Sequence, residues 1–186
     1  TLNDLREKFG IHHQVMKIFN GIQKREPSQR LTELLKEYMT FPLTTEKAKS
    51  EAIVFPILAE LRKINDDFFT IYSGEVLNVD KKLGLYGECD FIITKNNHTF
   101  EITAPLLAIV EAKKQDIELG IRQCSAQMVG IKFFNEKFKN SVKIIYGCVT
   151  IATEWKFLKL EDNLITIDTE TYFIDNLPKI LGIFQE

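Results

Sequence analysis

Three charged residues in the middle of the chain have types and spacing that suit phosphate chemistry. Asp90 lies inside the apolar run 85–93, and Glu111 directly follows the apolar run 106–110. Lys113 comes two residues later, so on a strand it points to the same face as Glu111. Carboxylate oxygens are preferred ligands of Mg²⁺ and Mn²⁺, and a lysine beside such a metal orients or deprotonates water, or offsets charge on a phosphate. Because an unpaired charge on a buried strand is costly, the pattern favours a site over a surface ion pair.

The elements that must position these residues are predicted from composition and periodicity. The run Leu-Leu-Ala-Ile-Val before Glu111 indicates a strand that is buried on both faces. Asp116 is expected to cap a long helix over residues 117–137, whose apolar residues recur in steps of four and three. Residues 142–150 read as another buried strand. We therefore predict an α/β domain whose mixed central sheet is flanked by helices.

The segments before Asp90 are predicted as two helices and a hairpin. Ser28 is expected to cap a helix over residues 29–39. Thr44 or Thr45 begins a second helix, which runs to about Lys63 with a kink at Pro56. Two strands, 68–72 and 75–79, are expected to form a hairpin around Ser73-Gly74.

The remaining segments are predicted as short strands, turns and a final helix. Asn96–His98 reads as a turn, in which His98 is an ordinary turn residue, and 99–103 as a short strand. A hairpin with strands 155–160 and 164–168, and a helix over 177–184, are expected to end the chain. The adjacent His12 and His13 cannot share a helix face, so they are read as ordinary polar residues rather than a metal pair.

Composition describes an ordinary soluble domain. The 186 residues are 45% hydrophobic and 27% charged, which fits one domain with a sizeable core. We expect the core at 44–152, a helical extension at 1–43, and the hairpin and helix at 153–186. The net charge of −2 provides no overall basic field for nucleic acid. No membrane-spanning stretch is visible, and three widely spaced cysteines are expected to be buried thiols in a reducing cytoplasm.

Asp90 followed by Glu111-Ala112-Lys113 resembles the catalytic signature of the PD-(D/E)XK nuclease superfamily, which includes many restriction endonucleases. Cys89 stands where the superfamily's name has proline. The predicted order of helix, three strands, long helix and strand is similar to the αβββαβ restriction-endonuclease-like core. This resemblance covers roughly residues 44–152.

The resemblance implies metal-dependent hydrolysis of phosphodiester bonds in nucleic acid, with DNA expected over RNA. Asp90, Glu111 and the backbone carbonyl of Ala112 would bind Mg²⁺ or Mn²⁺. Lys113 would position the attacking water and stabilise the pentavalent transition state.

Further site residues are implied by the same resemblance. Many members place an acid on the helix before the sheet, and Glu51 matches that position better than Glu60, to support a second metal or a ligating water. In several branches a glutamine from the helix after the signature reaches the site, and Gln123 suits this position better than Gln127. The alternatives are a solvated helical glutamate and glutamines that only flank the core.

Substrate contacts are expected from the positive residues near the signature. Arg122 is placed to meet a phosphate, with Gln127 and Lys114 as further substrate-binding candidates. A modest basic rim is expected from lysines and one arginine along this region: Lys113, Lys114, Arg122, Lys132, Lys137, Lys139 and Lys143.

Two other functions remain open at this point. A catalytically silent nucleic-acid- or protein-binding module on the same fold is favoured by the net charge and by the lack of an evident DNA-reading element. The complete Asp-Glu-Lys trio argues against it. A metal-dependent hydrolase of a small phosphate compound would require a closed pocket. Whether the chain works as a homodimer or in a larger assembly is also open.

Overall fold

The computed structural model describes residues 1–95 and 100–186. Within these residues the chain forms six α-helices and eight β-strands. In chain order they are α1 (Leu2–Phe9), β1 (His12–Val15), α2 (Gln29–Tyr38), α3 (Glu46–Lys49), α4 (Phe55–Ile64), β2 (Thr70–Asp80), β3 (Leu85–Thr94), β4 (Leu106–Ala112), α5 (Ile117–Lys137), β5 (Ile144–Thr150), β6 (Glu154–Glu161), β7 (Leu164–Ile167), β8 (Tyr172–Phe173) and α6 (Leu177–Ile183).

All eight strands belong to one mixed sheet. Its order is β1-β7-β6-β5-β4-β3-β2, and β8 pairs with β6. The pairs β1–β7 and β4–β5 are parallel, and the others are antiparallel. The prediction of an α/β fold with a mixed sheet flanked by helices is confirmed. Strands from both predicted extensions, β1 and β6–β8, continue the sheet formed by the core strands.

Apolar side chains cover both faces of the central strands. Ile109 and Val149 pack into the cluster that contains the apolar residues of α1 and α5. Their chain neighbours Val110 and Cys148 pack into the opposite cluster, with α2, α4 and α6. Because successive residues of a strand point to opposite faces, such strands are apolar along their whole length. This burial on both faces is what the run before Glu111 predicts.

The helix before β2 is continuous from residue 46 to 64 but contains one wider turn. Thr45 caps its start, with its side chain accepting a hydrogen bond from the Ala48 N–H at 3.1 Å. The turn Ser50–Val54 is π-helical, and the Phe55 N–H donates to the Ser50 carbonyl. Pro56 lies two residues after this turn and has no N–H to donate to it. The π-turn thus lies where the sequence predicts a kink.

The predicted hairpin around Ser73-Gly74 is wrong. Residues on both sides of this dipeptide pair with β3, as Tyr72 does with Ile92 and Val76 with Glu88. The segment is therefore the single long strand β2. Gly74 has φ 68° and lies inside this strand, where glycine permits a local irregularity without a reversal of direction.

Other local predictions have mixed outcomes. The capped helix after Asp116 spans Ile117–Lys137 as expected, and Ser28 caps α2. The described part of the predicted strand 99–103 is irregular, and the predicted turn with His98 lies outside the described residues. His12 and His13 lie exposed on strand β1 rather than on a helix. All three cysteines are buried free thiols, as expected.

The long helix α5 does not have the hydropathy of a membrane span, and neither does any other helix in the described residues.

Candidate active site

Asp90 and Glu111 come together where strands β3 and β4 stop pairing through their backbones. The last backbone pair at this end is Phe91 with Val110. Beyond it, Oδ2 of Asp90 accepts a hydrogen bond from the Ala112 N–H at 2.8 Å. The side chain thus replaces the next backbone hydrogen bond of the ladder. This arrangement holds the Asp90 carboxylate beside Glu111, the residue before Ala112.

Lys113 lies immediately past the end of β4, where its backbone still follows β5. Its N–H donates to the Thr150 carbonyl at 2.7 Å. Its ammonium is 2.6 Å from Oε1 of Glu111 and 3.3 Å from Oε1 of Glu46. The expectation that Glu111 and Lys113 point the same way agrees with this ion pair. The Lys113 residue is only 9% exposed, so the pair lies largely out of solvent.

Gln127 of α5 holds the other oxygen of Glu111. Its Nε2 donates to Oε2 of Glu111 at 2.9 Å and to the Glu88 carbonyl at 3.2 Å. Its own Oε1 is buried and accepts no hydrogen bond from the described residues. Glu111, at 1% exposed, therefore has one positive and one neutral partner, with an unused amide oxygen nearby.

The two carboxyl groups hold protons more tightly than free carboxyl groups do. Burial, followed by the negative charge of Asp90, raises the pKa of Glu111 to about 7, against hydrogen bonds from Lys113 and Gln127 that lower it. Burial also raises the pKa of Asp90, against the Ala112 N–H and a hydrogen bond shared with Glu111. Without a metal, the two acids therefore bind a proton at a higher pH than free carboxyl groups do.

Lys113 stays positively charged in this setting. Burial lowers the pKa of its ammonium, but the hydrogen bond to Glu111 and the charges of Glu111, Asp90 and Glu46 outweigh that effect and raise the pKa above its ordinary value. A lysine in this state is suited to stabilise negative charge, and it is a poor base at neutral pH.

The donor set fits one hard divalent cation. In the part of the chain that the structure describes, no three His, Cys, Asp or Glu side chains are grouped to hold a metal. Mg²⁺, however, is usually bound through one or two carboxylates and keeps several waters. Each carboxylate oxygen of Asp90 and Glu111 can accept more than one interaction. A dication between them would replace the proton that their raised pKa values favour, with the Ala112 carbonyl as a further oxygen donor.

The helix acids are arranged differently from the expectation for Glu51 and Glu60. Glu51 lines the cleft that also contains Asp90, but its side chain is 68% exposed and pairs with Lys47 at 3.8 Å. Glu60 is buried and accepts the Ser28 N–H at 2.8 Å, a structural role at the start of α2. Glu46 is the helix acid that contacts Lys113.

The structure also shows which of the candidate residues on and near α5 contact the site. Gln127, not Gln123, contacts Glu111. Gln123 lines a neighbouring cavity of about 160 Å³, together with Gln127 and residues of β3. Arg122 is exposed and forms an ion pair with Glu118 at 3.5 Å. Lys114 is exposed, and its carbonyl accepts a hydrogen bond from Lys49 at 2.7 Å.

The expected basic rim is divided between two regions. Lys132, Lys139 and Lys143 line a separate cavity of about 460 Å³ beside the C-terminal part of α5. Lys113, Lys114 and Arg122 lie at the opposite end of that helix, near its start. The positive residues therefore do not surround one site, because the length of α5 separates them.

The site opens onto a solvent-exposed cleft of about 720 Å³. Its charged lining residues are mainly acidic, with one lysine: Glu46, Lys47, Glu51, Glu88 and Asp90. An open cleft admits a polymer, whereas a small phosphate compound is usually enclosed. The acidic lining would repel phosphate unless a cation reduced its charge.

Two site residues were absent from the sequence-based candidates. They are Glu46 and Lys49, which both lie on α3. Lys49 donates to the Lys114 carbonyl at 2.7 Å and so fixes the start of the helix beside the end of β4. Glu46 and Lys49 are three residues apart, so the sequence places them on the same side of one helix. Only the packing of that helix near the end of β4 brings both residues to the site.

Comparison of the chain with protein-family models, with curated proteins and with solved structures gives no match.

Proposed function

We propose that this chain is a divalent-metal-dependent nuclease of the PD-(D/E)XK type that hydrolyses phosphodiester bonds in DNA. The observation that carries the proposal is the convergence of Asp90, Glu111 and Lys113 where the pairing of β3 and β4 ends. The order of the helix over 46–64, β2, β3, β4, α5 and β5 supports a restriction-endonuclease-like αβββαβ core.

The protein's own residues have distinct parts in this proposal. Asp90, Glu111 and the Ala112 carbonyl would hold Mg²⁺ or Mn²⁺, which supplies a Lewis acid to the scissile phosphate when bound. Lys113 keeps its positive charge, positions the attacking water and stabilises the charge that develops on the phosphate. Gln127 fixes the orientation of Glu111.

Two helix acids have supporting parts. Glu46 holds the Lys113 ammonium from the side of the cleft, where its carboxylate lies 3.3 Å away. Glu51 lies further along the same wall, where it is available to bind a metal-bound water or a second cation. We assign Glu46 the closer role because it is the one that contacts the trio.

A second candidate is a nucleic-acid- or protein-binding module without catalysis. It is favoured by the ion pairs that Lys113 already makes with Glu111 and Glu46, which are sufficient as a structural network. The acidic cleft and the net charge of −2 point the same way. This candidate predicts that divalent metal is irrelevant to stability.

Thermal melts with and without Mn²⁺, beside a plasmid-cleavage assay, separate the two candidates. For the nuclease, Mn²⁺ at a hundredfold excess over Kd should stabilise the wild type by about 2.7 kcal/mol. Asp90→Asn should remove most of this gain and raise the metal-free melting temperature, because one of two facing carboxylates disappears. Lys113→Ala should keep or increase the metal-dependent gain while cleavage falls by about a hundredfold or more.

Glu136→Gln is the matched control, since Glu136 lies at the far end of α5 in an ion pair with Lys132. It should leave both the Mn²⁺ response and the cleavage rate unchanged. If Mn²⁺ at millimolar concentration does not shift the wild-type melt and neither DNA nor RNA is cut, the nuclease proposal fails in favour of the binding module.

A further inference from the structure

A second cavity adjoins the Asp90 cleft. Glu51 and Phe55 line the cleft and also line a cavity of about 310 Å³ between α2 and α4. Arg30, Tyr38 and Lys63 lie in the lining of this second cavity. We call the two adjoining cavities together the Phe55 groove.

The walls of the groove are formed by residues that recur every fourth position on two helices. Such residues lie on one face of a helix. The stripe on the helix before β2 extends about 24 Å, at 1.5 Å per residue. Its members are Lys47, Glu51, Phe55, Ala59 and Lys63, and α2 contributes Arg30, Leu34 and Tyr38.

Phe55 presents a fixed aromatic ring to this groove. Phe55 is 45% exposed, although phenylalanine is among the residues that are most often buried. Its ring stacks on the ring of Phe91, with centroids 6.3 Å apart and an angle of 26° between the planes. Phe91 is itself only 2% exposed. The Phe55 ring is therefore backed by a buried ring, while much of the residue is accessible to a ligand.

The outer half of the groove, the cavity between α2 and α4, contains two cations and two acids. Arg30 and Lys63 are exposed, and neither forms an ion pair with the described residues. Of the acids in this half, Glu51 pairs with Lys47 at 3.8 Å, and Glu60 is buried against the Ser28 N–H. A ligand that has flat aromatic rings and also negative charges would stack on Phe55 and pair with Arg30 and Lys63.

We infer that the Phe55 groove binds single-stranded nucleic acid, with a base stacked on Phe55 and backbone phosphates at Arg30 and Lys63. Aromatic platforms beside basic residues bind single strands because every unpaired base has an accessible face. The bases of an intact duplex are stacked on one another and do not offer that face. The inference rests on the proposed nuclease function for the cleavage step after binding, since the groove leads to Asp90.

Fluorescence anisotropy on the full chain in EDTA tests the inference without cleavage, because the proposed phosphate contacts at Arg30 and Lys63 lie outside the acidic cleft and need no metal. The probe is a labelled DNA strand of about 15 nucleotides, longer than the groove, alone or annealed to its complement. The single strand should bind more tightly than the duplex. Phe55→Leu should weaken single-strand binding by about 5- to 150-fold, the equivalent of 1–3 kcal/mol for one stacked base. Phe173→Leu, at a phenylalanine 51% exposed on β8, should leave it unchanged.

Arg30→Gln provides a second test that does not depend on the aromatic ring. It should lower the slope of log affinity against log salt by about 0.7, the value for one lost phosphate contact on a single strand. Thermal melts establish that each variant is folded.

The possible outcomes separate this inference from the nuclease proposal. Equal binding of single strand and duplex, no binding of the single strand, or equal effects of Phe55→Leu and Phe173→Leu would overturn the inference, even if metal-dependent cleavage is found. Phe55-dependent binding of the single strand without cleavage in any metal would support the inference and remove the nuclease proposal. A groove that instead accepts a peptide predicts no Arg30-dependent salt slope with DNA.

Discussion

At the scale of single residues, Glu111 has the most unusual environment in the site. It is 1% exposed, and burial together with the charge of Asp90 raises its pKa to about 7. A carboxyl group whose folded-state pKa exceeds its unfolded value of 4.5 favours the folded state when protonated. Protonated Glu111 therefore stabilises the folded state fully below pH 4.5, and this stabilisation is lost as the pH rises through 7.

Glu111→Gln should remove this pH dependence, because glutamine resembles the protonated acid and cannot ionise. Between pH 4.5 and 8 in EDTA, the variant should gain stability relative to the wild type, on the order of 3 kcal/mol. Urea unfolding at several pH values measures the difference. A stability difference that is constant across this range would show that Glu111 titrates normally.

Two glutamines on α5 provide a matched comparison for the same titration. Gln127 donates to Glu111, and this hydrogen bond lowers the pKa of Glu111. Gln127→Met should therefore raise the pKa of Glu111 further, so that the loss of stability occurs at a higher pH. Gln123→Met, one turn earlier, should leave this pH dependence unchanged.

At the scale of secondary-structure elements, the approach of α5 to the sheet depends on Gly120. A Cβ at this position would collide with Cγ1 of Val149 and lie 3.0 Å from Cγ of Lys113. The absence of a side chain lets the first turns of α5 pass over β5 and leaves room for the Lys113 stem. The helix thus positions Lys113 as well as Gln127.

Gly120→Ala should destabilise the protein although alanine is the better helix former. The propensity gain of about 1 kcal/mol is opposed by overpacking that costs about 1–3 kcal/mol. We expect a net loss of stability, and a loss of cleavage beyond that of the stability change because Lys113 must move. Denaturant unfolding and the plasmid assay measure the two effects.

Gly87→Ala on β3 is the control for this substitution. A Cβ there would meet no atom within 4 Å, so the stability should change little. Equal behaviour of the two variants would mean that the neighbours of Gly120 yield to the added methyl group.

At the scale of the whole molecule, a charged cluster joins the two ends of the chain. Glu170 pairs with Lys17, which follows β1, at 2.6 Å, and with Lys179 of α6 at 3.0 Å. Close to it, the buried Asp168 accepts the Tyr172 hydroxyl at 2.9 Å and the Ile18 N–H at 3.4 Å. Segments on both sides of the core are thereby held to the same edge of the sheet.

Glu170→Gln should weaken this connection in a pH-dependent way. Hydrogen bonds from Lys17 and then Lys179 lower the pKa of Glu170 to about 2, so its contribution is present above its unfolded value of 4.5 and is lost as the pH falls towards 2. Because the group is one-third exposed and screened by solvent, we expect a loss of only about 1 kcal/mol at neutral pH. Denaturant unfolding of both proteins at pH 7 and in acid measures it.

Glu161→Gln is the control for this effect, because Glu161 pairs only locally with Lys159 on the same strand. Its stability change should stay within about 0.5 kcal/mol at either pH. A loss for Glu170→Gln that persists unchanged in acid would contradict the titration of Glu170.

Features that depend on near neighbours along the chain could be predicted from the sequence alone. The Asp116 cap and the apolar periodicity predict α5 from Ile117 to about Lys137, and the helix spans Ile117–Lys137. The apolar run before Glu111 defines a strand buried on both faces, and the two-residue spacing to Lys113 puts the ion pair on one side. These features arise from helix and strand geometry, which acts over a few residues.

Which residues of different elements contact each other could not be predicted from the sequence, because these contacts depend on tertiary packing. Periodicity places Gln123 and Gln127 on the same helix edge but does not say which turn lies over Glu111. That depends on how closely α5 approaches the sheet, and hence on Gly120. In the same way Glu46, rather than Glu51, reaches Lys113, because the helix start is held to the Lys114 carbonyl by Lys49.

The single strand β2 has the same explanation. Ser73-Gly74 has the composition of a turn, and local sequence favours a reversal there. Pairing of both halves with β3 keeps the strand extended, because the backbone hydrogen bonds to a long neighbouring strand outweigh the turn preference of two residues. Local chemistry thus specified most elements of this protein, whereas contacts between elements made β2 a single strand and formed the candidate site.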